Sequence, residues 1–132
     1  MLYRDLIQSA IAIVCENAVV SFGNEDYYAR APYLLAAFVT QYAKLDGDYR
    51  KANGIENKVI STDAAAIEVD EEFPLCDVFA PAAIYHLAAG LVIDENEEMS
   101  DKFFDRYINA ILEIRKNLPS LAEPIVDRYG LT

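Results

Sequence analysis

Between Val78 and Ile93 the chain carries polar side-chain atoms only at Tyr85 and His86. A run of this length and character reads as a helix that is apolar on nearly every side. Such a helix must be covered on most of its surface by other elements. It is shorter than the roughly 20 residues that a membrane-spanning helix needs, and it contains His86. The expectation is therefore a buried central helix in a soluble protein. Ala80, Ala82, Ala83, Ala88, Ala89 and Gly90 are small and permit close helix approach. Asp77 suits the N-cap position, and Pro81 is tolerated in a first turn.

The residues after this run supply one of its covers. Asp94, Glu95, Glu97, Glu98 and Asp101 crowd into the connection. Asp94 is placed to cap the next helix, with Glu97 three residues on, close to a capping box. The remaining acids fall at the positive end of that helix's dipole. Met99, Phe103, Tyr107, Ala110, Ile111 and Ile114 then form one apolar stripe, with Asp101, Asp105, Asn109, Glu113 and Lys116 left for water. Pro119 ends the helix. Residues 119–132 contain Pro119, Pro124 and Gly130, which predict an extended C-terminal arm. Its apolar members, Leu121, Ile125, Val126, Tyr129 and Leu131, have to pack on the domain or on another chain.

The chain before the central run supplies further covers. Residues 2–19 predict a first helix, with Leu2, Leu6 and Ile13 on one apolar line and Ile7, Ile11, Val14 and Ala18 on a second. Ser21-Phe22-Gly23-Asn24 breaks the pattern. A second helix over about 25–43 places Tyr28, Ala31, Leu35, Phe38 and Tyr42 on one face. Pro32 either kinks this helix or starts it after a short turn over 25–30, and the second arrangement is the expectation. Leu45-Asp46-Gly47-Asp48 reads as a turn, and Tyr49–Asn53 as one further helical turn stopped by Gly54. Lys44, Arg50, Lys51 and Lys58 form the densest basic patch. Asp46, Asp48 and Glu56 interrupt it, so it reads as solvated surface. Residues 58–61 and 66–69 are β-prone and could pair as a short hairpin, which would need support from a neighbouring domain or subunit.

The fold class that follows is all-α. It is one domain over 1–132, a small bundle of four to five helices around a buried central helix, with 58–69 either a hairpin or a loop. Hydrophobic residues at 54% of the chain are enough for a core, and the formal net charge of −11 disfavours grip on phosphate backbones or anionic lipid. No secretory leader is expected, because the first residues run straight into the amphipathic pattern. Cys15 and Cys76 lie far apart in apolar settings and read as reduced core thiols of a cytoplasmic protein.

No chemistry is legible in this pattern. Two cysteines and one histidine lack the number and spacing of a zinc site. A nucleophile–histidine pair would have to join His86 to Cys76 or Cys15. On an apolar helix, however, His86 reads as a hydrogen-bonded core or interface residue. The glycines are scattered, and the acidic run lacks the alternating ligands of a calcium loop. The aromatic residues are not interleaved with basic ones. Tyr27, Tyr28, Tyr33, Tyr49 and Tyr129 suit subunit surfaces. Catalytic residues, metals and cofactors are all expected to be absent.

Several stretches together resemble one family. They are Phe73-Pro74-Leu75-x-Asp77, then Ala82-Ala83-Ile84-Tyr85-x-Leu87-Ala88-Ala89-x-Leu91, then Asp94-Glu95-x-Glu97 and Phe103-x-x-Arg106-Tyr107. Asp46-x-x-Tyr49-Arg50 adds a weaker match in the first half. The pattern resembles the head–tail connector, or adaptor, proteins of tailed bacteriophages and prophages. The resemblance implies a non-enzymatic virion structural protein that forms a ring below the portal. Its implied partners are further copies of itself, the portal protein, and neck or tail proteins. DNA would pass without specific binding and no membrane is involved. The protein would reside in the host cytoplasm and then in the virion. Candidate interface residues are Val59, Ile60, Ile67 and Val69 in the 58–69 segment, and Ile125, Val126, Tyr129 and Leu131 in the arm. The alternative reading is a bacterial helical protein-interaction or regulatory module without enzymatic activity.

Overall fold

The computed structural model describes residues 1–17 and 24–118. Among them are four α-helices and one short 3-10 turn. Helix α1 spans Tyr3–Asn17, α2 Asn24–Ala52, α3 Ala80–Val92 and α4 Glu97–Lys116, with the 3-10 turn at Asp77–Phe79 leading into α3. The fold is a small all-α bundle, as the apolar periodicities require.

Helix α3 lies at the centre and touches the other three helices, most extensively α4. Leu87 and Leu91 are fully buried and Val92 nearly so, each worth about 1.5–3 kcal/mol of transfer free energy. Ala82, Ala83 and Ala88 are buried completely, which lets neighbouring backbones come close. Gly90 marks one such approach. A Cβ there would lie 3.0 Å from Leu34 Cδ1 of α2. Ser100 of α4 is also buried and donates its hydroxyl to the Ala89 carbonyl at 2.9 Å. From α2, Arg30 donates to the carbonyls of Gly90 and Leu91 at 3.2 and 2.7 Å, satisfying carbonyls in the last turn of α3.

Helix α2 differs from its expected form. It runs unbroken from Asn24 through Pro32 and on through Leu45–Asp48. Neither a start at Pro32 nor a turn at 45–48 occurs. Leu45 and Asp46 are both buried, and this holds the segment helical. The continuous helix also sets the inward face. Tyr27, Ala31, Leu35, Phe38, Tyr42 and Leu45 point into the core, while Tyr28 is half exposed. Tyr27 is therefore a core residue. Its hydroxyl donates to Glu95 in the α3–α4 connection, 2.5 Å from Oε1 and 2.9 Å from Oε2. Burial and this carboxylate both raise the pKa of Tyr27 above the ordinary tyrosine value. The expected stop at Gly54 is present. Gly54 has φ +68°, Ile55 N–H donates to Arg50 O at 2.8 Å, and Gly54 N–H faces Lys51 O at 3.5 Å. This is the Schellman arrangement.

Two caps differ from those expected. Asn96, not Asp94, caps α4, its Oδ1 accepting from Met99 N–H at 3.0 Å. Asp77 begins the 3-10 turn and caps no helix. The stripe on α4 lies as expected. Phe103, Tyr107, Ile111 and Ile114 are buried, with Met99 and Ala110 packed at its edge. No helix of the described residues is long and apolar enough to cross a membrane.

Candidate assembly surface

Residues 53–76 join α2 to the turn before α3 without forming a hairpin. Among the described residues no strand occurs, and one isolated bridge pairs Leu2 with Glu72. The segment is instead a strap with two legs and an exposed crest.

Both legs are fixed by one ion pair. Asp46 and Arg50 sit one turn apart on α2, with side chains 1% and 12% exposed and Nε 2.7 Å from Oδ2. Arg50 donates from its two terminal nitrogens to Glu56 O on the outgoing leg and Pro74 O on the return leg, both at 3.1 Å. Asp46 accepts a further bond from Cys76 N–H at 2.8 Å. A guanidinium is suited to this work because its donors form a rigid planar fork. The hydrogen bond to Asp46 holds the Arg50 pKa above its usual value, against the opposing effect of burial. Arg50 is thus a largely covered structural residue and not part of a solvated basic patch.

The return leg then satisfies the start of α1. Tyr3 N–H donates to Glu71 O at 3.0 Å and Arg4 N–H to Val69 O at 2.9 Å. These are first-turn donors with no partner inside their own helix. Phe73 N–H donates back to Met1 O at 2.9 Å, and Arg4 pairs with Asp70. Tyr3 packs edge-on against Phe73, and burial pushes its hydroxyl pKa up to about 12.

The crest has no such ties. Among the described residues, the backbone of 57–66 makes no backbone hydrogen bond. Val59 is 94% exposed. The other candidate residues of the segment behave differently. Ile60, Ile67 and Val69 are partly buried against the protein's own core, and Ile67 N–H donates to Pro32 O at 3.2 Å. Between the legs, above Arg50, lies an open groove of about 440 Å³. A smaller opening of about 170 Å³ separates the later part of the strap from Ala36, Val39 and Thr40 of α2. Ile125, Val126, Tyr129 and Leu131 lie outside the described residues.

The groups considered for chemistry fall elsewhere. His86 is flanked by Phe38 and Tyr107, with ring centroids 5.4 and 5.0 Å away. Its Nδ1 is buried without a hydrogen-bond partner among the described residues, so the bond expected of a core or interface histidine is not made at this nitrogen. Burial lowers its pKa. Cys76 is half-buried beside Asp46. Burial, then the carboxylate, push its thiol up to about 11, away from the thiolate form that nucleophilic work needs. Among the described residues no group of three His, Cys, Asp or Glu side chains could hold a metal ion. Tyr42 and Tyr107 share a short hydroxyl–hydroxyl hydrogen bond inside the bundle.

Comparison with protein-family models, with curated proteins and with solved structures finds no match to this chain. The sequence alone could have suggested the Asp46–Arg50 pair, through its spacing of four. Its burial depends on Pro74 and Cys76, which no local pattern reports.

Proposed function

We propose that the protein is a non-enzymatic structural component of a phage or prophage head–tail junction. In this reading it assembles with copies of itself into a ring below the portal and contacts neck or tail proteins. The observation that carries the assembly reading is the strap crest. It is an irregular stretch whose backbone makes no backbone hydrogen bond, with an outward Val59, held on anchored legs. Such a segment can add to a sheet edge of another chain, with main-chain bonds giving affinity. Two further facts support the reading. The connector-like motif begins on the return leg of the strap and runs through α3 into α4, and its weaker first-half match, Asp46-x-x-Tyr49-Arg50, falls on the pair that anchors the strap. The net charge of −11 would keep passing DNA mobile, and no membrane contact is invoked.

The test is assembly with a portal protein, followed by negative-stain microscopy and light scattering. The wild-type chain should add a ring. Val59→Asp combined with Ser61→Pro should not, while melting at the wild-type temperature. A chain that never joins a portal or neck protein overturns the reading. A specific partner without ring geometry favours the helical interaction module instead.

A further inference from the structure

Helix α4 carries a second apolar line beside its buried one. Phe104, Ile108 and Leu112 follow one another at intervals of four, which keeps them on one face. Phe104 is 50% and Leu112 56% exposed, and Ile108 between them is only partly buried. Charges flank this line with a definite symmetry. Asp101 lies seven residues before Ile108 and Arg115 seven after, so each falls within about 20° of it around the helix. Both are exposed, and neither makes an ion pair among the described residues.

We propose that this face of α4 docks on the same face of a second copy, antiparallel, about a two-fold axis through Ile108. That operation exchanges Phe104 with Leu112 and Asp101 with Arg115. Each copy then sets an apolar residue against an apolar one and an acid against a base. A contact of this kind is isologous and self-complementary. The parallel pairing of the same faces sets Asp101 against Asp101 and Arg115 against Arg115, which like-charge repulsion disfavours. The contact core is three side chains per copy, less than the roughly 1,200–2,000 Å² of a stable interface provides. The dimer is therefore reversible and concentration-dependent. The inference uses α4 and is independent of the strap and of the head–tail reading.

Sedimentation equilibrium on the full chain across the micromolar range tests it. The wild type should show a monomer–dimer equilibrium. Asp101→Arg alone, and Arg115→Asp alone, should each weaken self-association about tenfold or more, because every ion pair becomes a like-charge contact. Mixing the two variants should restore wild-type affinity as a heterodimer, since each base then meets an acid. Phe104→Ser should abolish the dimer, with circular dichroism checking that the helices persist. A wild type that stays monomeric overturns the proposal, as does a dimer indifferent to both charge reversals. So does a dimer that appears only when residues 119–132 are removed, which would assign the face to the chain's own arm.

Discussion

Arg50 illustrates how much one side chain can hold. It is paired with a carboxylate that is 1% exposed, and it bonds both legs of the strap. Replacing it with methionine leaves Asp46 buried without its counter-charge. We expect Arg50→Met to cost about 3–5 kcal/mol, read from urea unfolding, with the strap exchanging amide hydrogens before the helices do. A loss under about 1 kcal/mol would mean that solvent screens the pair as it does at a surface. His86 gives a second expectation, in pH. Burial lowers its folded-state pKa below the ordinary 6.5, and Nδ1 has no partner to compensate a charge. The unfolded chain therefore binds the proton more readily. This contribution to stability is complete above about pH 6.5 and is lost as pH falls from there toward the lowered folded value. The slope for one proton is at most about 1.4 kcal/mol per pH unit. A His86→Leu variant should lack this slope, and parallel pH profiles of the two proteins would refute the assignment.

Helix α2 shows what element-scale patterns reveal and what they hide. The helical nature of α1 and α4 was legible because their apolar residues recur three and four apart, and that of α3 because its run is apolar on nearly every side. In α2 the same periodicity was present, but Pro32 and Gly47 pointed the other way. Local punctuation lost to burial. The helix continues because Tyr27, Leu45 and Asp46 are drawn inside, and Tyr27 finds Glu95 only through the α3–α4 connection. Pro32 remains a local conflict, since it supplies no N–H within the helix. We expect Pro32→Ala to stabilise the protein by about 1–3 kcal/mol in chemical denaturation, and an unchanged midpoint would show that the helix tolerates the ring without strain. The strap was the least legible element. Its β-prone residues suggested strands, yet Ile60, Ile67 and Val69 pack on the helices and leave no ladder. Residues alone do not report that Ile67 N–H will meet Pro32 O, because that contact exists only once α2 runs through the proline. The strap's exposure was legible in part. Val59 is outward, whereas the anchoring pair came only from the fold.

Across the whole molecule, rigidity and freedom are divided sharply. The helices meet around α3, and the return leg completes the first turn of α1. The crest over residues 57–66 makes no backbone hydrogen bond to either among the described residues. A short flexible tag inserted between Ser61 and Thr62 should therefore leave the melting temperature within a few degrees of wild type. Loop closure costs only about 0.6 kcal/mol for each doubling of length. The same tag between Asp70 and Glu71 should lower it sharply, because it displaces the acceptors of Tyr3 and Arg4. Scanning calorimetry of the two insertions decides between them, and equal losses would show that the crest is as integral as its legs. The clamp at Arg50 then has a meaning for descent as well as for stability. A lineage that keeps the clamp can lengthen, shorten or rewrite the crest without disturbing the helices beneath.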